Sequence, residues 1–156
     1  MTHYTSYDLI EWAKPFEKRK NALPKPKGSE VLIRVTAAGL CHSDLHVQKG
    51  YMDLGNEGRL TFAERGAELP MTFGHEIAGV VENTGADANS FKKGQKVLVF
   101  PWIGCGECPA CKEERESDCA SMRIIGLKQK GGFATHCLVE HCLLYTSDAA
   151  DDLVGV

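Results

Sequence analysis

Short apolar runs, bounded by glycine, proline and charged turns, set the pattern of the chain. EVLIRVTAA at 30–38, EIAGVVE at 76–82, QKVLVF at 95–100 and FATHCLVE at 133–140 are brief and rich in β-branched residues, so each predicts a strand. Pro24-Lys25-Pro26-Lys27-Gly28 punctuates the approach to the first of them, and Phe91-Lys92-Lys93-Gly94 makes a turn into the third. Helical periodicity is weak. The pattern predicts a mostly β (α+β), irregular domain whose long connections, Gly39 to Gly74 and Gly104 to Gly132, hold the candidate chemistry. There is no internal repeat and no low-complexity tract.

Composition narrows this picture without redirecting it. The 156 residues are 43% hydrophobic and 25% charged, which is the range of ordinary globular proteins. A chain of this size buries about 68–70% of its unfolded surface, so it needs neither disulfides nor a metal merely to gain a core. Its formal charge of −3 argues against a nucleic-acid partner and against a polybasic membrane surface. Met1-Thr2-His3-Tyr4 does not open a signal peptide, and no run approaches the ~18 apolar residues of a membrane span. The expected compartment is therefore the reducing cytoplasm.

That compartment makes the seven cysteines informative. Cys105, Cys108, Cys111 and Cys119 fall within 15 residues in the spacing C-x2-C-x2-C-x7-C, which in a reduced cytosol points to metal before disulfide. Tetrahedral zinc takes four thiolates at about 2.3 Å, and a closed shell of four leaves no position for water, so such a site is structural. Iron–sulfur clusters also use C-x2-C-x2-C, but the bacterial ferredoxin run brings its fourth cysteine after three residues and places proline behind it, unlike Pro109 here. Disulfides and unligated thiols are the remaining alternatives. Gly104 and Gly106 flank the first cysteine, where backbone must fold tightly around an ion.

A second concentration of chemistry is Gly39-Leu40-Cys41-His42-Ser43-Asp44-Leu45-His46, followed 34 positions after Cys41 by Gly74-His75-Glu76. A cysteine and a histidine from separate loops are two of the three protein ligands of an open zinc site that keeps its fourth position for substrate. Asp44 is suited to accept the second ring N–H of His75 and fix its tautomer. Ser43 beside a metal can pass on the proton of a bound alcohol. His3, His136 and His141 have no partner motif and read as surface or packing residues, Cys137 as a small core thiol, and Trp12 and Trp102 as packing aromatics, with Trp102 placed to brace the cysteine lobe.

GLCHSDLH, GHEIAGVVENTG, the cysteine lobe and GGFATH, in this order, resemble the N-terminal GroES-like catalytic domain of the zinc-dependent medium-chain alcohol dehydrogenases, over roughly residues 5 to 141. The resemblance implies an irregular β-barrel domain with a structural zinc lobe. Cys41 and His75 would bind the catalytic zinc, with Glu76 nearby as an occasional alternative ligand. Ser43 and His46 would form a proton relay to solvent, Asp44 would support His75, and His42 would face the cofactor pyrophosphate. Cys105, Cys108, Cys111 and Cys119 would hold the structural zinc. In such enzymes zinc lowers the alcohol pKa and hydride passes to NAD or NADP. The implied substrate is a small alcohol or its aldehyde or ketone, and the parent is expected to be a homo-oligomer.

The chain departs from that pattern in three places. The 33 residues between Cys41 and His75 exceed those of compact relatives, and the excess, Tyr51 through Pro70, is expected to decorate the cleft side or to be a plain solvated loop, with no chemistry assigned. No G-x-G-x-x-G follows a strand, so the nucleotide-binding (Rossmann) domain is absent and is expected, with the third catalytic-zinc ligand, to lie beyond this chain. The chain alone is expected to be inactive but to bind metal in its cysteine lobe. Finally, Cys142 through Asp151 resembles the translated transposon mosaic-end sequencing adapter (TGT CTC TTA TAC ACA TCT GAC GCT GCC GAC). The domain is therefore expected to occupy 1–141, with 142–156 a non-native read-through tail. Without Asp148, Asp151 and Asp152 the charges balance. The rival reading is a stand-alone zinc-binding structural or interaction module, which would have no use for a proton relay.

Overall fold

In the computed structural model, which describes residues 2–146, the strongest apolar runs form the middle of one antiparallel sheet. Its strands are β3 (Glu30–Gly39), β7 (Glu76–Thr84), β8 (Lys96–Val99), β11 (His136–Glu140) and β12 (Leu144–Thr146), in the spatial order β11-β3-β7-β8-β12. Ile33 lies opposite Val81 and Ile77 opposite Val99, and these alternate side chains point to one face. There Val31, Ile33, Val81 and Val139 are buried together with Ile103 and Ile125, contributed by the connection that carries the cysteine lobe.

A second sheet, β2-β1-β6, combines β1 (His3–Leu9), β2 (Glu17–Ala22) and β6 (Met71–Thr72). β2 is Glu-Lys-Arg-Lys-Asn-Ala and almost wholly exposed, so it carries no hydrophobic period; charge along an edge strand also guards it against pairing with other chains. The predicted strand 133–140 is ladder only from His136. Before it, Phe133 N–H donates to Phe73 O, Tyr7 N–H to Phe133 O, Thr135 N–H to Thr5 O and Val35 N–H to Thr135 O. Residues 133–135 therefore cross between the two sheets.

The Cys41–His75 connection is not a bare loop. It contains α1 (His42–Lys49) and a hairpin of β4 (Tyr51–Asp53) and β5 (Arg59–Thr61). Val47, Phe62 and Ala67 from this stretch join Leu9 and Phe73 in a second core, with Trp12 and Phe16 packed against it. Downstream lie β9 (Trp102–Ile103), the short α2 (Pro109–Lys112) and β10 (Arg123–Ile124), the two strands pairing antiparallel. Every pairing between named strands is antiparallel, and among the described residues there is no parallel nucleotide-binding sheet. The irregular β architecture expected from the sequence is what the chain adopts. Of the segment expected to be a tail, Cys142–Thr146 forms a 3-10 turn and β12, while 147–156 lie outside the described residues.

Candidate metal centres

α1 begins where β3 ends, and the residue that starts the helix also organises the site. The Cys41 N–H donates to Asp44 Oδ2 at 3.0 Å, satisfying a backbone donor that a helix start leaves free. Gly50 closes the helix with its N–H on His46 O and Val47 O. Asp44 is only 4% exposed. Its other oxygen lies 3.5 Å from His75 Nδ1, while Ser43 Oγ lies 3.3 Å from His75 Nε2. One carboxylate thus anchors the helix and orients the imidazole, the partnership expected from the residue types.

His75 arrives from the second sheet. Gly74 before it has φ +89°, and a side chain there would run into Phe133, so both the backbone conformation and the space call for glycine. Gly74 O accepts the Gly132 N–H at 2.7 Å, which ties this turn to the GGFATH segment. Sγ of Cys41, a ring nitrogen of His75 and a carboxylate oxygen of Glu76 lie within 4.8 Å of one another. A thiolate, an imidazole and a carboxylate with an open side suit a catalytic zinc. Glu76, expected only as an occasional ligand, thus brings a third possible donor atom to the site within this chain. Gly39 makes room for it, because a methyl group at that position would collide with the Glu76 carboxylate. Nothing in the sequence pattern marks Gly39 for that role.

His46 lies one turn along α1 from Ser43, and its ring stacks on His42 at 4.8 Å between centroids. His42 itself is exposed.

Cys41 and His75 line a cavity of about 490 Å³ whose walls are mostly apolar. Val47, Met52, Leu60 and Phe62 come from α1 and the hairpin, and Trp102 and Ile124 from the opposite side. Trp102, expected to pack and placed to brace the cysteine lobe, also lines this cavity and is partly exposed. The long Cys41–His75 connection therefore does face the cleft. Alternation of Leu60 and Phe62 within it is the one signal of this in the sequence.

In the lobe, the four sulfurs of Cys105, Cys108, Cys111 and Cys119 lie within 4.8 Å of one another, and all four are free thiols. Cys105 and Cys111 sulfurs are 4.0 Å apart, near the edge of about 3.8 Å expected for a tetrahedron with 2.3 Å bonds. Backbone N–H groups point at sulfur: Cys105 to Cys119, Cys108 to Cys105 and Cys111 to Cys108. Backbone donors from Glu107 and Cys108 lower the Cys105 thiol to about 6. For Cys111 a Gly106 donor acts in the same direction, but burial and the neighbouring thiols outweigh it and leave the group at about 12. Four sulfurs gathered this closely fit a structural zinc. Cys137, by contrast, stands alone in the core, pushed up to about 12 by burial.

The chain matches the alcohol dehydrogenase GroES-like domain over residues 27–148. It belongs to that family. The NAD-dependent alcohol dehydrogenase of Sulfurisphaera tokodaii is 42% identical over 134 residues, covering 85% of this chain and 37% of the relative. The structure of the D-arabinose dehydrogenase from Sulfolobus solfataricus superposes with a TM-score of 0.77 at 32% identity, covering 94% of this chain and 41% of that one. That of the alcohol dehydrogenase from Aeropyrum pernix gives 0.77 at 28%, covering 91% and 39%. This alcohol dehydrogenase domain thus spans 37% of the length of the first curated relative. Among its described residues no helix is long and apolar enough to cross a membrane.

Proposed function

We propose that the whole protein to which this domain belongs is a zinc-dependent dehydrogenase interconverting an alcohol and an aldehyde or ketone with NAD or NADP. The observation that carries this reading is the meeting of Cys41, His75 and Glu76 beside an apolar cavity large enough for a small substrate. Cys41, His75 and Glu76 hold the catalytic ion, and the four lobe cysteines hold the structural one. Bound zinc supplies a Lewis acid that lowers the pKa of an alcohol, and bound nicotinamide accepts hydride. Ser43 Oγ, beside His75, takes the alcohol proton and passes it to His46 on the same helix face, and from there to solvent. Asp44 keeps His75 in one tautomer. His42, exposed at the helix start, is left to the cofactor pyrophosphate.

The chain by itself is proposed not to turn over alcohols, since its described residues hold no nucleotide-binding fold. A cytoplasmic location, which keeps the thiols reduced, and a homo-oligomeric parent belong to the same proposal. The test is NAD(P)-linked oxidation of a panel of alcohols by the whole protein and by its Cys41→Ala variant. Activity lost with Cys41 supports the reading. Absence of any turnover favours the stand-alone zinc module, and a coloured protein with visible absorbance points to an iron–sulfur centre.

A further inference from the structure

The cavity at Cys41 and His75 carries one feature that turnover of a plain alcohol does not require. Its lining includes one carboxyl and one guanidinium side chain, Asp44 and Arg65. Asp44 is buried and committed to the Cys41 N–H and to His75. Arg65 lines the cavity, is exposed and, among the described residues, makes no ion pair. Two of its neighbours in sequence are occupied elsewhere. Arg59 pairs with Asp53 at 3.9 Å and lies over the Tyr51 ring at 4.4 Å, and Glu64 accepts from the Thr61 hydroxyl. Lys128 donates to Gly66 O at 2.5 Å, which sets a second cation against the turn that holds Arg65. The unpaired charge on the cavity wall is therefore the Arg65 cation, in a lining that otherwise includes apolar Met52, Leu60 and Phe62.

A planar guanidinium with unused donors binds a carboxylate through two parallel hydrogen bonds, and few polar groups in an otherwise apolar pocket set which way a ligand lies. We infer that Arg65 is a specificity-determining residue that binds a carboxylate at the far end of the substrate. The substrate class is then hydroxycarboxylic acids whose hydrocarbon segment crosses the apolar walls and places the hydroxyl at Cys41 and His75. This inference rests on the dehydrogenase reading for turnover, but not for binding of the acid.

Two measurements separate those dependences. Calorimetric titration of the chain itself with hexanoate is expected to show binding that Arg65→Ala weakens about tenfold or more and Arg65→Lys weakens less. In the whole protein, kcat/KM for ω-hydroxyhexanoate is expected to fall by the same factor in Arg65→Ala, while hexanol turnover stays unchanged. Because Arg65 is exposed, these substitutions leave both cores intact. Hexanoate binding that is absent, or equal in parent and Arg65→Ala, overturns the assignment, as does an equal loss on both alcohols. Arg65-dependent binding with no turnover of either alcohol keeps the assignment and removes the dehydrogenase reading.

Discussion

Asp44 shows how one side chain can serve folding and chemistry together. It holds the first N–H of α1 through one oxygen and faces His75 with the other. Asp44→Asn keeps a hydrogen-bond acceptor but loses the charge that orients the imidazole, so metal affinity at the Cys41 site is expected to fall about 10–100-fold in chelator competition. Asp44→Ala should add about 1 kcal/mol of lost stability in denaturant titrations, because the helix start is left uncapped. The partnership with His75 is readable from residue types alone. The capping role is not, because weak helical periodicity hides α1.

The lobe cysteines give a pH dependence whose direction follows from their environments. At pH 7 Cys105, lowered to about 6, is already thiolate, whereas Cys111, raised to about 12, is a thiol that must lose its proton to a metal. Zinc uptake is therefore expected to release protons at neutral pH and to weaken as pH falls, more steeply once Cys105 also protonates below about 6. Calorimetry in buffers of different ionisation enthalpy measures the proton count. Zinc binding with no proton release would contradict this assignment of charge.

The elements differ in how plainly the sequence announces them. β3 and β7 are central strands, covered on one face by a core, so their apolar residues are dense and in period. β2 is exposed, and β9 and β10 are two residues long, too short for any period to register. The 51–70 stretch resembles a solvated loop in sequence because its buried residues, Phe62 and Ala67, are scattered among charges. Phe62 contacts both the second core and the cavity, so Phe62→Ala is expected to cost about 3 kcal/mol in chemical denaturation and to enlarge the cavity at the same time. β12 pairs with β8 and buries Leu144, yet its residues match a translated adapter. Domain 1–141 with a foreign tail remains our proposal. Sequencing the source locus past codon 141 is expected to give a different continuation, and the same fifteen residues followed by a stop would overturn it.

The two proposed metal sites lie on connections and at a strand end: the lobe cysteines fall between β9 and β10, and Glu76 of the Cys41 site opens β7. Cysteine spacing alone makes the lobe legible, because three thiols two residues apart can reach one ion through local backbone. The Cys41 site is only partly legible: Cys41 and His75 are 34 positions apart in the chain, and Glu76, opposite Gly39 at the start of β7, offers a third donor atom that Gly39 leaves space for. Arg65 is invisible in the sequence because nothing there shows which arginine lacks a partner. We propose that this domain holds two zinc ions of different kinds, and anomalous diffraction at the zinc edge from zinc-loaded crystals locates them. One peak is expected among Cys105, Cys108, Cys111 and Cys119 and a second among Cys41, His75 and Glu76; a single peak in the lobe, with the Cys41 site empty at saturating zinc, would overturn the two-zinc reading.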